Sequence, residues 1–513
     1  MRTIRLILIV LLLTEISPKL TSKDIYPTRQ SIKGIQPDFQ DPNQIIGNAI
    51  HGVAFNFVWE VWQPSPTSSC SSGQYLYDGY CFNIDQHTVD HVKTYSDNGV
   101  VVTGVFYGVP GWARRDCPSS AVTAPMFCAP KNENARDYGR FVGFIAQYFN
   151  GENGHGRVAD FVIHNEVNSP SWFNIGCSGT NCKNRIDEWV SVYAQSYNNA
   201  YDYAVREQNQ AKVLISFEHH FFSYWDGTSL PEVSVETFLT RLVPYLGSRQ
   251  WKLAYHSYPP DLTIPHFGSN DYPRITFGNI GVLAGWLRKN YPNDPHAWEI
   301  ELTENGVNGP NGQEGQQNTM ICELLRNILG TPGITSLIYH RLVDIKEEGL
   351  NLGLWRSDAS QKASWTTYAC ANRQGSCAGV ERWPACGFEY GEYTLLKRAY
   401  DGTFHWVSSR MFPDGVYAEQ QWKLFREPRE DTTMVYECKV GGANGSHTMI
   451  SKDANCEGQF SMGPMGYIFN DYVEGTEPIY RCSNPNNGDH LITTSSSCEG
   501  FTYESLVGYA YRG

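Results

Sequence analysis

From about residue 30 to 345, apolar β-rich runs alternate with amphipathic segments of helix length, and few folds accept that pattern. The runs fall at 31–35, 50–60, 100–107, 158–166, 211–219, 252–258, 297–304 and 334–340. Helical spacing of apolar residues marks the segments between them, at 85–98, 135–150, 185–207, 235–246, 278–290 and 316–329. Eight strands, each followed by a helix or a long loop, predict an α/β chain built as a (β/α)8 TIM barrel rather than an open sheet. In the longest helical segment Trp189, Val192, Tyr193, Tyr197, Ala200, Tyr201 and Ala204 form one stripe, expected to pack on the barrel rather than bind a ligand.

Beyond residue 345 helical periodicity fades and a repeat takes over. Tyr393, Tyr436 and Tyr480 stand 43 and 44 residues apart, and His405, His447 and His490 follow at 42 and 43. Aromatic pairs close the units: Trp422/Phe425, Tyr467/Phe469 and Tyr509/Tyr511. The second and third units share a Tyr-x-Cys opening and a Cys-Glu-Gly. Threefold self-similarity over short strands predicts an all-β, β-trefoil-like domain. The expected layout is a signal peptide over 1–22, the barrel over 23–375 and the three-repeat domain over 387–513.

Arg2 and Arg5 followed by the apolar run of residues 6–13 read as a secretory signal, too short to span a bilayer. The 14 cysteines fit an oxidising compartment. Close neighbours are expected to pair locally, as Cys70/Cys81, Cys117/Cys128, Cys177/Cys182, Cys377/Cys386, Cys438/Cys456 and Cys482/Cys498, leaving Cys322/Cys370 as a long-range pair. Asn444-Gly445-Ser446 is a glycosylation sequon. A secreted or secretory-lumen glycoprotein follows. A net charge of −13 argues against nucleic acid and anionic lipid as partners. A soluble monomer without cofactor or metal is expected.

Function in a parallel barrel gathers at the C-terminal strand ends. The fourth run ends Ile163-His164-Asn165-Glu166, and the seventh ends Leu302-Thr303-Glu304-Asn305-Gly306. Two carboxylates therefore emerge at one mouth and face across it. Such a pair suits glycoside hydrolysis, in which one carboxyl protonates the leaving oxygen and the other attacks the anomeric carbon or activates water. Glu301, three residues before Glu304, is the rival nucleophile, expected instead to lie inside the strand. Trp59, Trp62, Trp112 and Trp172 lie near strand ends as candidate sugar platforms. Asn56 and Glu60 share parity on the second run, so one of them is expected to face the pore. His219-His220, His256 and His340 sit at strand ends, where hydrogen bonding to substrate or carboxylate is a commoner role than metal binding.

In strand order and in these two motifs the chain resembles the large clan of retaining (β/α)8 glycosidases with the acid/base Glu after strand four and the nucleophile after strand seven. Around Asn165-Glu166-Val167-Asn168-Ser169 it is most similar to an uncharacterised family of secreted glycosidase-like barrels. The resemblance implies Glu166 as acid/base, Glu304 as nucleophile and Asn165 as donor to a sugar 2-hydroxyl. It also implies a contact from His256 or Tyr258 after strand six, with a carbohydrate as partner; Asn56, Trp59 and His340 are expected substrate contacts from their places at strand ends. His340-Arg341 departs from the aromatic that many clan members carry after strand eight. Gln420-Gln421-Trp422 matches the Gln-x-Trp of ricin-like lectins once, and the Gly488-Asp489-His490 segment resembles repeat domains of unknown function attached to secreted enzymes. The competing expectation is a catalytically silent, secreted carbohydrate-binding protein in which the barrel is only a scaffold.

Overall fold

The structure is a computed structural model that describes residues 22–29, 31–48, 50–178, 181–223, 233–310, 312–369, 382–383, 388–389 and 392–513. Residues 1–21 of the expected signal segment, Cys370 and the Cys377/Cys386 pair lie outside the described residues. Eight parallel strands form where the sequence places them: β1 (Lys33–Ile35), β2 (Gly52–Val58), β3 (Val101–Tyr107), β4 (Val158–Ile163), β5 (Lys212–Phe217), β6 (Lys252–Tyr255), β7 (Ile300–Asn305) and β8 (Ile334–Tyr339). Each pairs with its sequence neighbour, and β8 pairs with β1 to close the barrel. All of β4 is buried, as expected of a strand covered on both faces.

Six helices follow the predicted segments: α1 (Gln86–Asp97), α2 (Ala135–Tyr148), α3 (Ile186–Glu207), α4 (Val235–Leu246), α5 (Gly281–Asn290) and α6 (Glu314–Leu329). The α3 stripe packs on the barrel, and two of its tyrosines serve at both ends of their side chains. Their rings are buried, while Tyr193 and Tyr197 donate to the carbonyls of Ile163 and Val213 at 3.1 and 2.9 Å. After β1 the helix is reduced to a single 3-10 turn, Pro42–Gln44. Glu301 lies fully buried inside the barrel, 3.1 Å from Arg29 and 3.4 Å from Lys212. It is a structural carboxyl, committed to Arg29 and Lys212 inside β7.

The second domain is a mostly antiparallel sheet of nine strands, three per repeat: β9 (Tyr393–Tyr400), β10 (His405–Ser408) and β11 (Ala418–Phe425), then β12 (Thr432–Val440), β13 (His447–Ser451) and β14 (Phe460–Phe469), then β15 (Thr476–Ser483), β16 (His490–Thr493) and β17 (Thr502–Arg512). In each repeat the first strand pairs with the other two, and β11, β14 and β17 pair with one another across repeats. The core takes four side chains from each unit, such as Leu396, Val407, Trp422 and Leu424 from the first. The recurring histidines tie repeats together: His405 Nδ1 lies 2.7 Å from Asp489, and His447 Nε2 lies 2.9 Å from the Gly488 carbonyl. Trp422 is buried and donates to Glu477 at 3.3 Å, so the single Gln-x-Trp serves packing.

Ion pairs cross every repeat junction. Glu457 of the second repeat accepts from Arg481 of the third, and Glu499 of the third from Arg398 of the first. Both acids sit in the Cys-Glu-Gly turns, where Cys, Glu and Gly all take positive φ. Between the first and second repeats the signs are exchanged, with Arg410 donating to Glu437 at 2.7 Å. Five of the expected disulfides form, Cys70–Cys81, Cys117–Cys128, Cys177–Cys182, Cys438–Cys456 and Cys482–Cys498. No helix among the described residues is long and apolar enough to cross a membrane.

The second domain docks on α5 without side chains between the backbones. A Cβ on Gly463 would fall 1.8 Å from the Gly281 carbonyl oxygen, and its φ of +102° independently favours glycine.

Candidate active site

Where β4 ends the chain turns sharply, with His164 and Glu166 at φ of +59° and +39°, a costly conformation for non-glycine residues. Neighbouring strands hold the turn. His164 N donates to the Phe106 carbonyl at 2.9 Å, Val167 N to the Ser216 carbonyl at 3.0 Å, and Glu166 N to Ser216 Oγ at 3.0 Å. The His164 ring stacks on Tyr138 at 4.3 Å, away from the cleft, and burial pushes its pKa down to about 3, leaving a neutral packing group.

The other carboxylate rides on β7, and the residues after it explain the Thr-Glu-Asn-Gly sequence. Asn305 Oδ1 accepts from the backbone N and the hydroxyl of Ser257, at 2.7 and 2.9 Å, locking β7 to the end of β6. A Cβ on Gly306 would fall 2.2 Å from the His340 carbonyl oxygen, so only glycine fits.

These two ends bring Glu166 and Glu304 together, with a carboxylate oxygen of each and a ring nitrogen of His256 all within 4.8 Å of one another. His256 Nδ1 lies 2.8 Å from Glu166 Oε1, and the Tyr258 hydroxyl donates to Glu304 Oε1 at 3.1 Å. Burial pushes the Glu166 carboxyl up to about 7; His256 opposes this and the Glu304 charge adds to it. Burial also works against ionised Glu304, but His256, His340 and the Tyr258 hydroxyl outweigh it and hold its pKa below the ordinary value. One carboxyl thus keeps its proton in the pH range where its neighbour has lost it.

The pair sits in a cleft of about 700 Å³. Of the residues expected to contact substrate, Asn56, Asn165, Tyr258 and His340 line it. His256 is 2% exposed and stands behind Glu166, so it positions that carboxyl rather than touching a ligand. Trp59 must be corrected. It begins a short helix, Trp59–Trp62, so the alternation of the strand no longer directs its ring, which is fully buried against Trp112, Tyr138 and Phe141. Its indole N–H donates to Gln63 at 2.8 Å. Trp62 is buried too, and of the four tryptophans only Trp172 lines the cleft. Glu60 pairs with Arg114 at 3.6 Å.

The cleft has further walls, of which the sequence reading named only Trp172. Tyr107 and Trp172 flank Phe127, with ring centroids 5.6 and 4.6 Å from it, forming one aromatic side. Gln36 and Glu218 also line it. Gln36, Tyr107 and Glu218 end or directly follow β1, β3 and β5, so applying the strand-end rule to every strand finds all three.

Two groups of described residues have the donors for a metal: Glu166 with His256 and Glu304, and Glu218 with His219 and His220. In the second, Arg274 Nε donates to His220 Nε2 at 3.2 Å, so a guanidinium occupies the nitrogen a metal would need.

Fold and site together define a closed (β/α)8 barrel with paired, oppositely tuned carboxylates at its C-terminal mouth. The chain belongs to the family described as "Family of unknown function (DUF5722)", whose model matches residues 25–383. No curated protein matches it in sequence. Among solved structures it is similar to a family 39 glycoside hydrolase from Bacteroides cellulosilyticus WH2, at 12% identity over 87% of this chain and 81% of that one, with a TM-score of 0.46. A fungal β-1,4-galactanase shares 12% identity over 66% and 94%, with a TM-score of 0.43. An exo-β-1,4-mannosidase from Opitutaceae bacterium strain TAV5 shares 13% over 67% and 56%, at 0.42.

Proposed function

We propose that the protein is a secreted, retaining glycoside hydrolase acting on a poly- or oligosaccharide. The observation that carries this reading is the proximity of Glu166 and Glu304, an oxygen of each within 4.8 Å, with pKa values driven in opposite directions. Retaining enzymes hold their carboxyl groups about 5–5.5 Å apart and inverting enzymes about 6.5–9.5 Å, and the short separation favours the first. Glu304 attacks the anomeric carbon while Glu166 gives its proton to the departing oxygen, forming a glycosyl ester and a free alcohol. Glu166, now ionised, takes a proton from water, which cleaves the ester and frees Glu304. Neutralising Glu304 in the ester removes a charge that raised the Glu166 pKa, which suits the switch from acid to base. Asn165, beside Glu166, is positioned as donor to the sugar 2-hydroxyl.

We assign residues 1–22 to a signal peptide, 23–375 to the catalytic barrel and 387–513 to a trefoil-like accessory module; the threefold pairing of β11, β14 and β17 supports the last. The test is a broad panel of aryl glycosides, with the anomer first released read by NMR. Turnover with retained configuration, lost in Glu304→Ala, is expected. Absence of turnover on the whole panel supports a carbohydrate-binding protein instead.

A further inference from the structure

Beside the catalytic pair, the first residues after β5 build a second polar corner that the hydrolytic steps do not use. Glu218 lines the cleft yet is only 4% exposed. One of its oxygens accepts from Asn168 Nδ2 at 2.6 Å, and the other from His220 N at 2.8 Å and from His220 Nδ1. Because Arg274 donates to His220 Nε2, the His220 proton must sit on Nδ1, facing Glu218. Asn168 is fixed in turn by the Val233 carbonyl at 2.9 Å. The carboxylate is therefore charged, rigid and directed at the cleft wall. Its neighbour His219 is 8% exposed, also lines the cleft, and its buried Nε2 meets no hydrogen-bond partner among the described residues. A buried nitrogen left unmet is costly, and one on a cleft wall is placed to be completed by a ligand.

We propose that Glu218 and His219 form a hydroxyl-reading corner that selects an uncharged sugar by adjacent hydroxyls, one donating to the Glu218 carboxylate and the next bonding to His219 Nε2. This rests on the glycosidase reading above. The wall explains why the sugar is uncharged. Three carboxylates line it beside the protonated Glu166, namely Glu218, Glu304 and Glu348, while the guanidinium on it, Arg341, is already committed to Asp38 and Glu348. A uronic acid or sulfated sugar would bring a further anion to a surface on which the described residues offer no unspent lysine or arginine. Burial pushes His219 down to about 4, so it meets the sugar as a neutral imidazole.

The test compares wild type, Glu218→Gln and His219→Asn on 4-nitrophenyl glycosides that differ at single hydroxyls, including deoxy and epimeric forms and a glucuronide. Direct calorimetric binding of the corresponding free monosaccharides runs alongside. Wild type is expected to reject the glucuronide, and to prefer one epimer by a ratio that falls on the order of 10-fold or more in each variant, chiefly through KM. The alkaline limb of the pH profile set by Glu166 should persist in both variants. Turnover with an unchanged epimer ratio in folded variants overturns the corner and leaves the hydrolase intact. Epimer-selective binding that is lost in the variants, without turnover by wild type, upholds the corner and overturns the hydrolase. Absence of both turnover and binding overturns both, as does turnover of the glucuronide for the charge argument.

Discussion

His256 Nδ1 lies 2.8 Å from Glu166 Oε1, and the same ring places its charge against Glu304. One residue thus works on both carboxyls, and in the same direction, lowering each pKa. In His256→Ala both pKa values should rise. The acid limb of the activity profile reports Glu304 ionising, and the alkaline limb reports Glu166 losing its proton, so the whole bell should move to higher pH. A fall in kcat on the order of 10-fold through lost orientation is expected at the wild-type optimum. Profiles of kcat/KM against pH check this, and an unmoved alkaline limb excludes His256 as the group that tunes Glu166.

Glu166 also makes stability depend on pH. Its folded pKa is raised from 4.5 to about 7, so its neutral form is favoured by folding. The contribution is complete below pH 4.5 and is lost as pH climbs through 7, because ionisation then costs more in the folded chain than in the unfolded one. Glu166→Gln, which cannot ionise, should therefore gain on the order of 2 kcal/mol over wild type at pH 8 and almost nothing at pH 4. Thermal melts of both proteins at the two pH values give the comparison.

The aromatic side of the cleft hangs on loops held by two disulfides. Cys117–Cys128 follows directly on Phe127, and Cys177–Cys182 closes the loop after Trp172. Asn174 links them, its carbonyl accepting from Ala129 N at 2.7 Å and its side chain from Cys177 N at 2.9 Å. Replacing Cys177 and Cys182 with serine should cost about 2 kcal/mol, the value expected for so short a loop. If Trp172 is a sugar platform, KM should rise more than kcat falls. Chemical denaturation and steady-state kinetics read the two effects separately.

What the sequence made legible follows from what is periodic. The eight strands were readable because mostly apolar, mostly buried runs recur between helix-length segments, with β4 buried throughout. Glu166 and Glu304 were readable because strand ends define the mouth. Trp59 was not, because the chain leaves β2 into a helical turn and strand parity fails one residue too soon to notice. The corner at Glu218 and His219 was hidden for another reason. Strand ends suggest that His219 and His220 hydrogen-bond, but not that Arg274, distant in sequence, occupies His220 Nε2 and turns its other nitrogen to Glu218. In the second domain the repeat spacing exposed the three units, but not the ion pairs between them, whose equivalence depends on hairpin register.

That register identifies the final test. Arg398, Glu437 and Arg481 each lie opposite a core residue of their own hairpin, Val407, Ile450 and Ile492, so the three occupy one repeat position. Only the second repeat carries an acid there, and its partner Arg410 is 2% exposed. Arg410 also donates to the Met462 and Pro464 carbonyls at 2.9 and 2.8 Å, and it reaches the Gly330 carbonyl at the end of α6 at 3.5 Å. The exchanged pair is therefore the one that faces the barrel, where a cation can satisfy carbonyls of both domains and an acid cannot. Arg410→Met should cost roughly 3–5 kcal/mol, because Glu437 is left buried without its partner. The double variant Arg410→Met/Glu437→Met should recover much of that loss, since the uncompensated charge is gone. Denaturant unfolding of wild type, both single variants and the double variant measures the coupling. A double variant no better than Arg410→Met would mean that the contacts to Gly330, Met462 and Pro464, rather than the ion pair, hold the two domains together.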